Sequence, residues 1–292
     1  MCDQDTIDDN YELARRSGDV SRRQFGALAL GTGLLMSLPR LADAADTQES
    51  EVEIKTPDGT CDAYFAHPAS GSHPAVLIWP DIFGLRPAFR QMGRRLSESG
   101  YSVLVVNPFY RQKKAPVVPP GTTFQDQNAR QTLFALAGAL TVETAQTDAK
   151  AFISWLDSQK AVDKKKKMGT TGYCMGGPLT FRTAALFPDR IGGAGSFHGG
   201  GLVTDKPDSP HLLIPKIKAH YLVAIAANDD ERQPEAKTVL RDAFGKTKVP
   251  AEVEVYAGAM HGWCPPDSEV YNHDSAEEAW GRLLATFKAG LV

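Results

Sequence analysis

A chain of 292 residues with 42% hydrophobic and 23% charged side chains has the make-up of a folded globular protein, which excludes a disordered or fibrous one. Its formal net charge of −3 leaves no basic excess to hold a nucleic acid or an anionic membrane surface, so neither is an expected partner. The one dense charge block, the four lysines at 164–167, stands before an apolar run and reads as a solvated loop.

Taken in chain order, the first feature is the pair Arg22-Arg23, set directly before an uncharged apolar stretch that ends at Leu38. The arrangement resembles a twin-arginine signal, whose partner is the twin-arginine export machinery. The stretch is shorter than the roughly 20 apolar residues of a membrane-spanning helix, so no stable membrane insertion is expected. Ala42-Asp43-Ala44 then supplies the small-x-small pattern of a cleavage site. Residues 1–44 are therefore expected to be a signal region, and 45–292 a single domain that works in the periplasm or is otherwise exported. Cleavage removes Cys2 and leaves Cys61, Cys174 and Cys264, an odd number for an oxidising compartment. No pair of them has the close spacing of a structural zinc site.

Beyond Glu51, short β-branched runs alternate with longer helical stretches, the order expected of a mostly parallel sheet covered by helices. Segments 51–55 and 61–66, joined by Pro57-Asp58-Gly59, read as an opening hairpin. Central strands are expected at 75–79, 101–106, 168–172, 193–197, 221–226 and 252–256. Helical periodicity covers 87–99, 141–158, 177–187, 234–244 and 275–288. The stretch 111–121, with Pro116, Pro119 and Pro120, reads as a loop. Loops after strand ends border the ligand crevice of an open parallel sheet, which makes Phe109, Tyr110 and Arg111 candidate pocket residues.

The most informative segment is Gly172-Tyr173-Cys174-Met175-Gly176-Gly177, which places GxCxG between an expected strand and an expected helix. It has the form of the nucleophile elbow of α/β-hydrolases, with sulfur where serine oxygen is usual. The spacing has a chemical reason. Glycines two residues either side of a strained turn let strand and helix approach without Cβ clashes, and the thiol is presented at a helix N-terminus that favours negative charge.

A nucleophilic cysteine needs a base, and the base needs an orienting partner. After the strand at 221–226 comes Asn228-Asp229-Asp230, in which either aspartate could face the site, and after the strand at 252–256 comes His261. This is the chain order nucleophile, acid, histidine of the fold. His198, after the strand at 193–197, and Trp263, two residues past His261, are further candidates to line the pocket. Cys264 stands three residues past His261, within reach as a disulfide partner for Cys174, although packing away from it is the preferred reading.

From about Glu51 to Leu291 the sequence resembles the dienelactone hydrolase (carboxymethylenebutenolidase-like) family. The matching residues are Asp81-Ile82-Phe83-Gly84, the cysteine elbow with its tyrosine, Asp230 before Pro234, and His261 with its flanking glycine. The resemblance implies a single-domain α/β-hydrolase with a mostly parallel central sheet flanked by helices. It implies Cys174, Asp230 and His261 as the triad, with the N–H groups of Ile82 and Met175 as the oxyanion hole. Two positions depart from the family. Asp81 replaces a longer glutamate that modulates the resting thiol, and Pro265 replaces one of two arginines that grip a substrate carboxylate. Arg111 lies near the other.

The expected activity is hydrolysis of a small ester or lactone through a thioester, needing neither metal nor organic cofactor. Two other classes compete: an exported thiol redox protein, and a catalytically silent binding module on the same fold. An anionic substrate held by Arg111 alone is the accompanying expectation.

Overall fold

A computed structural model of the protein describes residues 45–292. The arginine pair and the cleavage site lie outside the described residues. Eight strands form one sheet: β1 (Thr47–Thr56), β2 (Gly59–Pro68), β3 (Ala75–Trp79), β4 (Ser102–Val106), β5 (Met168–Tyr173), β6 (Ile191–Phe197), β7 (His220–Ala226) and β8 (Ala251–Tyr256). Their spatial order is β1-β2-β4-β3-β5-β6-β7-β8. The β1–β2 hairpin and the β2–β4 pairing are antiparallel, and every later neighbour is parallel.

Among the described residues, seven α-helices accompany the sheet: α1 (Pro87–Glu98), α2 (Gln127–Gly138), α3 (Val142–Ser158), α4 (Gly176–Leu186), α5 (Ala227–Arg232), α6 (Ala236–Gly245) and α7 (His273–Gly290). Parallel strands bury both faces, and the two-residue period of a strand divides their side chains between two cores. In β3, Val76 and Ile78 join the core shared with Phe89 of α1 and Phe287 of α7. Ala75, Leu77 and Trp79 join the opposite one, with Phe152 of α3 and Phe181 of α4. β4 divides in the same way, Val103 and Val105 from Leu104 and Val106.

Each strand and helix expected from the pattern is present, with ends shifted by a few residues. Three elements were not expected. They are α2, the six-residue α5, and a 3₁₀ segment at Pro210–Lys216. α2 lies directly after the loop read at 111–121, and its Asp126 caps it by accepting from the N–H groups of Asn128 and Ala129. Among the described residues no helix is long and apolar enough to cross a membrane.

Candidate active site

Parallel register brings four strand ends to one edge. Tyr173 of β5 stands opposite Phe197 of β6, Phe197 opposite Ala224 of β7, and Ala226 opposite Tyr256 of β8. The residues just beyond those ends are tied sideways by main-chain bonds. The N–H of Cys174 donates to the Phe197 carbonyl at 2.9 Å, that of His198 to Ala224 at 2.8 Å, and that of Ala227 to Ala259 at 2.8 Å. The loops carrying Cys174, His198, Asp229 and His261 are thus stitched together at the carboxyl edge of the sheet, where ligands bind in such folds.

The elbow is strained as its sequence requires. Cys174 has φ of 53°, a left-handed conformation uncommon for a residue with a Cβ. The flanking glycines are demanded by contact. A Cβ at Gly172 would stand 2.1 Å from the carbonyl oxygen of Gly176, and one at Gly176 would stand 2.2 Å from that of Trp79. The close approach to Trp79 brings the start of α4 against the end of β3, whose following residues carry Ile82. Cys174, Met175 and Ile82 consequently share one apolar cluster with Phe109, Val117 and Leu133.

His261 is fixed from two sides. Its main-chain N–H donates to Asn228 Oδ1 at 2.8 Å, and its Nδ1 meets both oxygens of Asp229 at 2.9 and 2.8 Å. Facing a carboxylate, Nδ1 carries the proton, and Nε2 is left as the basic nitrogen. The aspartate paired with His261 is therefore Asp229 and not the expected Asp230. Both oxygens of Asp230 accept from Lys237 Nζ, at 2.8 and 2.6 Å, one residue along and on another side of α5. The cause is α5 itself. Asn228 and Asp229 stand in its first turn, and successive helical residues cannot face the same way.

Several other expected site residues serve the framework instead. Asp81 directs both oxygens to Arg86, at 2.7 and 3.0 Å, and one of them also accepts from the Phe83 N–H. Burial pushes its carboxyl above the ordinary aspartate range despite the opposing pull of Arg86. It braces the turn that carries Ile82 and sends no hydrogen bond to the thiol, so the modulating role expected of it is not what its contacts support. Tyr110 and Arg111 turn away from the site. The Tyr110 hydroxyl bonds Asp148 of α3 at 2.8 Å, and Arg111 grips the same fully buried carboxylate and Asp58. Burial works against the charge of Arg111, but the bonds to Asp148 and Asp58 more than offset it and hold the guanidinium above its ordinary value. Asn107 forces this divergence by accepting from the Phe109 N–H and donating to Asp62 and Lys113, a tight turn that leaves Phe109 alone facing the Cys174 cluster.

His198 and Trp263 lie under the site. The His198 ring stands 5.0 Å from His261 and 5.1 Å from Trp263, edge to face with each. Trp263 is fully buried and stacks on Tyr256, so it packs beneath the histidines rather than walling a pocket. Cys264 is a free, buried thiol in the core of α1 and α7, on the other side from the Cys174 cluster. Burial drives its pKa well up, which leaves it inert. Among the described residues no group of three His, Cys, Asp or Glu side chains could hold a metal ion.

A strained cysteine at a helix start and a histidine oriented by an aspartate are the parts of acyl-transfer chemistry. The chain is similar to several known proteins. A relative from Methylorubrum extorquens is 28% identical over 286 residues, spanning 92% of this chain and 93% of its own. The carboxymethylenebutenolidase of Pseudomonas putida is 26% identical over 235 residues, spanning 80% of this chain and 93% of its own. A crystal structure from Klebsiella pneumoniae subsp. pneumoniae superposes with a TM-score of 0.71 at 24% identity, covering 83% of this chain and 99% of that one. The profile of the dienelactone hydrolase family matches residues 61–291, from within β2 through α7 and including Cys174, Asp229 and His261, and the chain belongs to that family.

Proposed function

We propose that the protein hydrolyses small carboxylic esters or lactones with Cys174 as nucleophile, His261 as general base and Asp229 as the residue that orients it. The observation that carries this reading is the pairing of His261 Nδ1 with both oxygens of Asp229, at the sheet edge that also presents the strained Cys174. Proton transfer from the thiol to His261 Nε2 gives a thiolate at the start of α4. Attack on the ester carbonyl makes a tetrahedral oxyanion, for which the N–H groups of Ile82 and Met175 are the proposed donors. Its collapse breaks the carbonyl–alkoxide bond, His261 returns the proton to the leaving alcohol, and a thioester remains. Water deprotonated by His261 then attacks the thioester, releasing acid and restoring the thiol.

The experiment is a panel of variants assayed with a chromogenic ester in the presence of a thiol reductant. Cys174→Ala is expected to lose several orders of magnitude in kcat with the fold retained. Asp229→Asn is expected to lose about 10³- to 10⁴-fold, because an amide stabilises the wrong imidazole tautomer, and Asp230→Asn less than tenfold. Near-normal turnover in Cys174→Ala defeats the nucleophile assignment, and a larger loss at Asp230 moves the acid by one residue. A redox protein would show no turnover and no acyl adduct on Cys174.

Export by the twin-arginine route is proposed on the Arg22-Arg23 motif and the Ala42-Asp43-Ala44 site. Replacing both arginines by lysine is expected to hold the precursor inside the cell. Undiminished release of a chain beginning near Ala45 would rule the route out.

A further inference from the structure

We propose that the substrate's acyl portion is an uncharged, apolar group received by the aromatic side chains Phe83, Phe124 and Phe134, not an anion held by arginine. The inference rests on the nucleophile reading above and names the substrate class that the site serves. Cys174 and Met175 share an apolar cluster with Ile82, Phe109, Val117 and Leu133. Partly buried over that cluster stand Phe83, from the turn after β3, Phe124, from the loop before α2, and Phe134, on α2. The Phe83 and Phe124 rings meet at 4.7 Å and 64°, and Phe124 and Phe134 at 6.4 Å. Three separate segments thus bring their rings against the apolar cluster that contains Cys174.

The neighbouring cations are already engaged. Arg111 is turned to Asp148 and Asp58 across the sheet edge. Arg86 lies over the Phe83 ring at 5.4 Å, but is held between Asp81 and Asp267, each at 2.7 Å. Lys237 is committed to Asp230. With Arg86, Arg111 and Lys237 each held by a carboxylate, a substrate carboxylate beside the cluster would be desolvated without any of these three as its partner. Extending an apolar acyl chain in the same place gains about fourfold in kcat/KM per buried methylene. The discrimination expected between a neutral acyl group and an isosteric carboxylate is about 100-fold.

Two matched pairs of probes test this with reductant present. 1-Chlorohexan-2-one and 6-chloro-5-oxohexanoate alkylate the thiolate: an S–C bond forms, the C–Cl bond breaks and chloride leaves, and the adduct is located on Cys174 by peptide mass mapping. p-Nitrophenyl pentanoate and mono-p-nitrophenyl glutarate report turnover for the same two chains. The expected result is about a 100-fold preference for the neutral member of each pair, narrowing to about tenfold in Phe124→Ala or Phe134→Ala through loss on the neutral probe alone. Equal or faster reaction of the acids overturns the proposal, as does a preference unmoved by both Phe variants. A selective loss of labelling by the acid probe in Arg130→Gln would place an anion contact on α2 and overturn it too. If neither ester turns over while the labelling preference stands, the hydrolase reading fails and the acyl site survives. If both esters turn over without preference, the reverse holds.

Discussion

His198 shows how a single residue under the catalytic layer can govern stability. It is 1% exposed, its φ is 39°, and neither ring nitrogen has a hydrogen-bond partner. Burial, and the nearby imidazole of His261, hold its pKa well below the ordinary value of 6.5. The folded protein therefore keeps His198 neutral in a range where the unfolded chain binds a proton. Stability from this group is fully present above the unfolded pKa of 6.5 and is lost as pH falls toward the folded one. One such proton contributes a slope of up to about 1.4 kcal/mol per pH unit. Urea unfolding at pH 7.5, 6.5 and 5.5 is expected to show the slope steepening toward that value as pH falls through 6.5. His198→Asn tolerates the positive φ and does not titrate, so it should flatten the curve by about that amount, whatever its effect at pH 7.5. Parallel curves for the two proteins would refute the account. The sequence marked His198 as near the site but could not say on which level, because only the ring contacts with His261 and Trp263 place it underneath. Asp229 and Asp230 pose the same difficulty. Two adjacent aspartates have one composition, and only the phase of the short helix α5 sends the first to His261 and the second to Lys237.

At the scale of elements, the β5–α4 elbow was legible because its constraint is local. Gly172 and Gly176 are where backbone meets backbone, so no side chain can be accommodated and the motif carries its own geometry. Gly176→Ala is expected to cost about 3 kcal/mol or more, above the usual penalty for one surplus methyl group, since the opposing atom is the Trp79 carbonyl and cannot rotate aside. Denaturant midpoints would show it, and a midpoint within error of the wild type would refute the clash. The central strands β3, β4 and β6 were readable for a related reason, since runs of five to seven residues with every position buried are what a strand covered on both faces needs. Helix α2 was not readable. Only Ala129, Leu133, Leu136 and Ala137 of it are buried, and the prolines and polar residues before it read as a continuing loop. Its significance comes from what it covers, the Cys174 cluster, and that is a tertiary relation with no local signal.

Across the whole molecule, Arg111 ties the hairpin turn at Asp58 and Asp148 of α3 to the turn after β4 in which it stands. The sequence made it a candidate pocket residue because loops after strand ends border the crevice of such a sheet. The direction of the side chain was decided by Asp148, 37 residues away and fully buried, which no local pattern links to it. A buried carboxylate stripped of its cation is costly, and the Tyr110 hydroxyl alone cannot replace a guanidinium. Arg111→Met is therefore expected to lower stability by about 3 kcal/mol, with part of the loss recovered in the double variant Arg111→Met/Asp148→Asn. The kcat/KM of the folded fraction for a neutral ester should stay within about twofold of wild type, because the Phe109 side of the turn is held independently by Asn107. An anion-gripping arginine would behave in the opposite way: stability nearly unchanged, and a selective loss of about 10- to 100-fold on an anionic lactone. Thermal or denaturant unfolding, run beside kinetics on one neutral and one anionic substrate, separates the two roles in a single variant.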